Sequence, residues 1–170
     1  MRLRFDASAS VITIDAFAEG LISAFAHAMR IEARGGSGES SDGERIEVQF
    51  PVGSLVATES SKKGKSSYQT MDAKDGRDVE ARLRTQVFAG LGAIRVEANH
   101  DGEVFVIAQR RAKANLNLSV REDDRAIFAE GTGTLSLAAI GAGKVKVPMG
   151  AMKLKDELRI RVKVRLERFT

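Results

Sequence analysis

Apolar and polar residues alternate along most segments of this chain. In residues 158–166, an aliphatic side chain occupies every second position from Leu158 to Leu166, and the four positions between them are cations. An extended chain points successive side chains to opposite faces, so this period of two predicts a strand with one apolar and one charged face. The same period recurs in residues 10–17, 23–33, 45–50, 93–98 and 114–120.

Polar turn sequences separate these segments. Residues 99–102 read Asn-His-Asp-Gly, a hairpin signal between two strands. Residues 121–125 predict a turn, and the glycine-rich residues 34–43 predict a flexible loop joining two more strands. Short strands separated by polar turns favour an antiparallel sandwich or barrel. One apolar face per strand fits a sheet whose buried face closes on itself.

One segment departs from the period of two and predicts a helix. Val79, Leu83 and Val87 recur at i, i+4 and i+8 within residues 75–88, with charges around them. Asp78 is a candidate N-cap, and a slightly earlier start is the alternative. A chain of 170 residues is most simply one domain, so we expect residues 1–170 to form a single, mainly β unit with this helix inserted mid-chain.

The net charge adds little to this picture. It is +4, and residues 158–170 alone carry five cations against one carboxylate, which is also +4. The net surplus of the whole chain therefore equals that of this one strand, unlike the broad basicity of dedicated nucleic-acid binders. No aromatic side chain interleaves with these cations to stack on bases. We expect no nucleic-acid partner.

The N-terminal sequence has no uninterrupted apolar run, because Asp6 and Asp15 break it. We expect neither a signal peptide nor a membrane span, and hence a cytoplasmic protein, or a periplasmic one if a signal has been removed. The chain has no cysteine, which excludes disulfides, thiolate catalysis and cysteine-based zinc sites.

Candidate catalytic chemistry is sparse. Of the two histidines, His100 lies in a predicted turn, whereas His27 shares a strand face with Phe25 and Met29. For His27 the alternatives are a structural role, a ligand contact and, given further ligands from elsewhere, a metal ligand. The sequence contains no phosphate-binding loop and no nucleophile elbow. We expect no enzyme, no metal and no cofactor.

Two segments resemble a known family. The helical segment with Arg77, Val79, Leu83, Arg84, Val87 and Phe88 runs into the strand at residues 94–96, and the late segment 150–157 reads Gly-Ala-Met-Lys-Leu-Lys-Asp-Glu. In their order, over nearly the whole chain, these features resemble the YceI-like family. The resemblance implies a lipocalin-like antiparallel β-barrel of about eight strands around an apolar tunnel. Members of the family bind polyisoprenoid chains or similar amphiphiles without catalysing a reaction.

The resemblance therefore implies non-enzymatic binding or transport of an isoprenoid or fatty-acid-like amphiphile, held by apolar burial. The candidate tunnel-lining residues, each equally compatible with ordinary packed core, are Phe25, His27, Met29, Ile31, Val48, Phe50, Ile94, Val96, Leu116, Leu118, Ile160, Val162 and Val164.

Two other functions stay open at this point. The first is an interaction protein with a filled barrel, which docks a partner through its basic face or through a predicted surface excursion at residues 59–75. Lys62, Lys63 and Lys65 in that excursion would also allow transient contact with a membrane surface. The second is an enzyme, for which His27 is the only plausible base. A monomer and a homodimer are both compatible with the sequence.

Overall fold

The computed structural model describes residues 1–19, 28–62, 67–144 and 153–170. Phe25, His27, Lys63, Lys65 and residues 150–152 of the late segment lie outside the described residues. The strands are β1 (Arg2–Phe5), β2 (Val11–Glu19), β3 (Ala28–Ala33), β4 (Glu39–Ser40), β5 (Arg45–Pro51), β6 (Leu55–Ser61), β7 (Gln69–Thr70), β8 (Ala93–Asn99), β9 (Val104–Ile107), β10 (Arg111–Glu122), β11 (Ala126–Ser136), β12 (Lys153–Leu154) and β13 (Glu157–Phe169).

These strands form one curled antiparallel sheet. Across the described residues its order is β5-β8-β9-β10-β11-β13-β2-β3-β6-β7, with β1 paired to β13 and β4, and β12 paired to β2. Ser37, just before β4, exchanges two backbone hydrogen bonds of 3.0 and 2.8 Å with Gln49 of β5. The path from β5 through β13, β1 and β4 therefore returns to β5 and forms a ring of eight strands.

The predicted lipocalin-like antiparallel barrel with one short helix is confirmed. The ring has the predicted eight strands, and the described sheet reaches thirteen because β2, β3 and β6 extend it from the same edge of β13 as β1, and β7 and β12 add two strands of two residues each. The predicted turns at residues 99–102 and 121–125 are also confirmed, since they join β8 to β9 and β10 to β11.

Two glycines allow the sheet to curl between β10 and β11. A Cβ atom on Gly131 would lie 2.0 Å from the carbonyl oxygen of Asn117, and one on Gly133 would lie 2.0 Å from that of Asn115. No side chain fits at such a distance, so these positions need glycine for the close approach of the two backbones. Glycine at a bend is one of the ways in which a sheet acquires the curvature of a barrel.

The mid-chain helix α1 spans Ala73–Arg82, so the earlier of the two predicted starts is the correct one. Its N-cap is Asp72 rather than Asp78, because the Asp72 carboxylate accepts hydrogen bonds from the backbone N–H groups of Lys74 and Asp75. A single π-helical turn, Leu83–Val87, follows α1. The predicted excursion at residues 59–75 is accordingly shorter, since its ends belong to β6 and α1.

The side chains on the concave face of the sheet form two apolar clusters. The helix-side cluster is built around Val87 and Phe88, at the end of the π-helical turn, and Ile140, which is only 1% exposed in the turn after β11. The ring-side cluster is smaller and consists of Leu3, Phe5, Ile46, Val48 and Phe50. Ile12 and Ala33 pack against both clusters and mark the level at which they meet.

Candidate ligand-binding site

An apolar cavity lies between the two clusters. Its volume is about 110 Å³, and residues of β2, β3, β5, β6, β8, β9, β10, β11 and β13 contribute to its wall. The lining residues all have hydrocarbon side chains: Ile12, Ile14, Ala33, Phe50, Leu55, Phe88, Ile94, Val96, Val104, Val106, Ala114, Leu116, Leu135, Ile140, Leu158, Ile160 and Val162. Such a lining offers dispersion and apolar burial to a ligand, and no group that donates, accepts or transfers a proton.

The structure brings six of the thirteen candidate lining residues to this cavity: Phe50, Ile94, Val96, Leu116, Ile160 and Val162. Ile31 belongs to the helix-side cluster and Val48 to the ring-side cluster, against which Val164 packs. Met29 and Leu118 are half-buried and line neither cavity nor cluster among the described residues. Phe25 and His27 lie outside the described residues. That any of these residues contacts a ligand remains a prediction.

Sequence reasoning missed other lining residues for two different reasons. Ile12, Ile14 and Leu158 carry the same period of two as the residues that were chosen, so the signal was present in the sequence. Phe88 and Ile140 reach the cavity from the end of the π-helical turn and from a loop. No periodicity in the sequence indicates that these two elements cover one end of the barrel.

The convex face of β13 carries the cations that stood out in the sequence. Arg165 forms ion pairs with Asp6 and Glu167, and Arg159 stacks on the ring of Phe17 at 5.0 Å. A hydrogen bond from Ser8, with that from Arg165, lowers the pKa of Asp6 below its ordinary value.

Two of those cations have no such partner. Arg161 and Lys163 are exposed and, within the described part of the chain, form no ion pair. They border a shallow trough with Thr13 and Thr132 on the neighbouring strands. Of the four cations between Leu158 and Leu166, only Arg165 is therefore neutralised by carboxylates in the described residues.

One carboxylate is buried on the convex face. Glu97 is 7% exposed and receives Arg45 at 2.5 Å and Arg111 at 3.3 Å, and Arg111 also stacks on the ring of Phe105. The hydrogen bond from Arg45 lowers the pKa of Glu97, so the carboxylate is ionised at neutral pH. Because Glu97 points away from the cavity and is paired twice, its role is structural.

The remaining candidates for chemistry do not converge. His100 is exposed in its turn, as expected. The described residues contain no group of three or more His, Asp or Glu side chains placed to hold a metal ion. Among them, too, the helical segments are too short or too polar to traverse a bilayer.

Comparison with known proteins concerns the fold. No family model matches the sequence, and no curated protein is similar enough in sequence to count as a relative. The structure resembles a polyisoprenoid binding domain from Saccharophagus degradans implicated in plant cell wall breakdown, with a TM-score of 0.65, 11% sequence identity and 97% of each chain covered. The fold is shared. Burkholderia cenocepacia BcnA is also similar, with a TM-score of 0.58, 10% identity, and 95% of this chain and 98% of that chain covered.

These likenesses extend over nearly the full length of each chain, so they concern the whole barrel and not one hairpin. The fold that the YceI-like resemblance implied is thereby confirmed. At about one residue in ten identical, the likeness says nothing about individual side chains.

Proposed function

We propose that this protein binds the hydrocarbon chain of an isoprenoid or similar amphiphile inside its curled sheet and catalyses no reaction. The observation that carries the proposal is the cavity between the two clusters, whose lining is hydrocarbon throughout. The fold shared with a polyisoprenoid binding domain supports it. Burial of apolar surface, at about 25 cal/mol per Å², would supply the affinity, and it requires no directed polar contact.

The volume of the cavity sets a limit on what fits without rearrangement. An engineered apolar cavity of about 150 Å³ holds a benzene molecule, and pockets for larger ligands measure about 300–1,000 Å³. At about 110 Å³, this cavity accommodates a few carbon atoms. A chain of fifteen carbons or more therefore binds only if the side chains around the cavity separate, and short or branched ends enter first.

The proposal is tested by filling the cavity. Ala114 is 3% exposed and lines the cavity, so Ala114→Leu adds three carbons into the void at little cost in packing. We expect wild-type protein, stripped of lipid, to bind the fluorescent fatty acid cis-parinaric acid and to release it to farnesol. The Ala114→Leu variant should bind the probe about tenfold more weakly, with its midpoint of thermal unfolding unchanged or raised.

Asn115→Leu provides the matched control, because Asn115 is the next residue on β10 and is exposed. This variant adds the same side chain outside the cavity and should bind the probe like the wild type. Equal binding by wild type and Ala114→Leu would contradict the proposal, and so would failure of delipidated wild-type protein to bind the probe at all.

A second candidate function, docking of a partner through the basic convex face, is favoured by one observation. Arg161 and Lys163 are exposed without ion pairs in the described residues, whereas their neighbours on β13 are engaged. Docking of this kind would weaken as ionic strength rises, and filling the cavity with Ala114→Leu would not affect it. The two functions thus respond to different variants.

A further inference from the structure

A surface groove of about 270 Å³ lies beside the cavity. It runs between Phe5 of β1, the residues that lead into β2 and the turn that follows β3. Ile12 and Ala33 line this groove and also line the cavity. Both residues are half-buried, so a single layer of side chains separates the outside of the molecule from its apolar interior.

The backbone pairing of the sheet is interrupted at this groove. On one edge of β13, the ladder with β2 ends at Lys163 and the ladder with β1 begins at Leu166. Between them, the N–H of Arg165 donates to the Ser10 hydroxyl at 3.0 Å, and the Arg165 carbonyl accepts from the N–H of Asp6 at 3.0 Å. The seam between β1 and β2 is thus bridged by one side chain and one backbone bond instead of a continuous ladder.

Aromatic rings form the wall between groove and cavity on the β1 side. Phe5 lines the groove and Phe50 lines the cavity, and their rings meet edge to face with centroids 5.7 Å apart. The chain crosses this pair at Gly36, where a Cβ atom would lie 2.5 Å from the Phe50 ring and 2.8 Å from the Phe5 ring. Gly35 before it has a φ of +67°, which glycine adopts without strain. Two glycines therefore lie at the edge of the wall that Phe5 and Phe50 form.

The groove differs from the cavity in having polar groups. Arg34 forms an ion pair with Glu32 at 2.8 Å, and both side chains are partly exposed, at 56% and 32%. Ser10 is the third polar residue of the lining. Because the one cation and the one carboxylate of the groove neutralise each other, a polar group without net charge is accommodated better than a diphosphate, which would have to displace Glu32 from Arg34.

We propose that this groove is the side entrance to the cavity and that it holds the uncharged polar end of a bound amphiphile, such as the hydroxyl of a prenyl alcohol. This inference rests on the proposed function. The hydrocarbon chain enters between Ile12 and Ala33, and the hydroxyl stays outside that wall beside Ser10 and the Glu32–Arg34 pair. The extra volume that a long chain needs comes from the groove.

The absence of cysteine from the sequence permits a direct test of the entrance. Ala33→Cys places a single thiol in the wall, and Gly92→Cys places one at an exposed position with open space around it, outside both linings. Bound farnesol should slow modification of the thiol at position 33 by a methanethiosulfonate reagent about tenfold. It should leave modification at position 92 unchanged.

The modified proteins also allow the rate of probe association to be measured with the proposed entrance blocked. A bulky benzyl group attached at position 33 should slow association of cis-parinaric acid in stopped-flow fluorescence about tenfold or more, whereas the same group at position 92 should not. If unmodified Ala33→Cys protein binds the probe and the benzyl group changes neither rate nor affinity, the entrance lies elsewhere and the proposed function survives. If wild-type protein binds no probe, both proposals fall.

The polar end is tested by removing the neutralising carboxylate. In wild-type protein, farnesol should displace cis-parinaric acid at about tenfold lower concentration than farnesyl diphosphate. Glu32→Gln leaves Arg34 unpaired, so the concentration of farnesyl diphosphate needed to displace the probe should fall about tenfold relative to the concentration of farnesol that is needed. Glu39→Gln, which breaks the exposed pair with Arg4 outside the groove, is the control. An unchanged preference in Glu32→Gln would overturn the assignment of the head to this groove.

Discussion

The concave and convex faces of the sheet differ in what their side chains contact. On the concave face, apolar side chains pack into two clusters around a cavity. On the convex face, most charges are paired side by side, as in the Arg30 guanidinium, which contacts Asp15 at 2.8 Å and Glu59 at 3.1 Å and stacks on Tyr68 at 3.7 Å. Charged side chains of the convex face thus mainly contact one another, whereas the aliphatic side chains of the concave face surround the unfilled cavity.

If the proposed function is correct, this difference predicts that both stability and ligand binding depend mainly on the concave face. Exposed ion pairs contribute about 0–1 kcal/mol each, whereas a fully buried aliphatic or aromatic side chain contributes about 1.5–3 kcal/mol. Substitutions on the concave face should therefore change both unfolding and amphiphile binding. Substitutions on the convex face away from the groove should change unfolding slightly and amphiphile binding not at all.

The largest effect is expected from Phe50→Ala. Phe50 is 4% exposed and packs edge-on against Phe5, so losing the ring should cost about 3–5 kcal/mol of unfolding free energy, measured by urea denaturation. The space left adjoins the cavity, so binding of cis-parinaric acid should tighten in the fraction that stays folded.

Phe128→Ala is the matched control on the convex face, where Arg121 stacks on a half-buried ring. Its loss should be about 1 kcal/mol. Equal losses in the two variants would contradict the assignment.

A smaller effect is expected from Ile140→Ala. Ile140 is 1% exposed and closes the helix side of the cavity from a turn that can partly relax, so we expect a loss of about 2–3 kcal/mol. Ile107→Ala removes the same atoms from a half-buried position on β9 and should cost less than about 1.5 kcal/mol. If the order of the two losses is reversed, the turn after β11 does not close the cavity.

Much of the concave face could be predicted because one physical rule governs it. A strand with one buried face must alternate, and residues 158–166 do so along the length of a single wall. The same rule found Ile94, Val96 and Leu116 on the strands opposite. The rule is silent about which strands are neighbours, so neither the split pairing of β13 nor the closure through Ser37 was predictable.

The rest of the candidate site depends on contacts between segments far apart in sequence. Ile12 and Ala33 form the wall between groove and cavity and are twenty-one residues apart in the sequence. Nothing in the sequence around either residue distinguishes it from other residues of a strand. The helix was recognisable from Val79, Leu83 and Val87, but the sequence left its cap open between Asp78 and an earlier residue. Several nearby Asp residues satisfy the same local preference, and the tertiary contact of Glu80 with the N–H of Ala57 fixes where the helix lies.

A pH-dependent effect of about 1 kcal/mol is expected from Glu97→Gln on the convex face. Because the arginines lower the pKa of Glu97 in the folded state, the stability it contributes is present above its unfolded pKa and is lost as pH falls through the folded pKa. Wild type should therefore exceed Glu97→Gln in unfolding free energy at pH 7, and the difference should disappear under strongly acidic conditions. Glu47→Gln, whose pair with Arg95 is long at 3.4 Å and more exposed, should show little difference at either pH.

The smallest effect is expected from removing the two unpaired cations together. Arg161→Ser with Lys163→Ser should change the unfolding free energy by less than about 0.5 kcal/mol, since neither side chain is buried or ion-paired in the described residues. Binding of cis-parinaric acid should be unchanged, because both side chains lie on the far side of β13 from Ile160 and Val162. Arg165→Ser, which frees Asp6 and Glu167, should lower stability more than the double variant. If the double variant instead no longer binds the probe, the amphiphile binds to the convex face, and the inference that binding depends on the concave face is wrong.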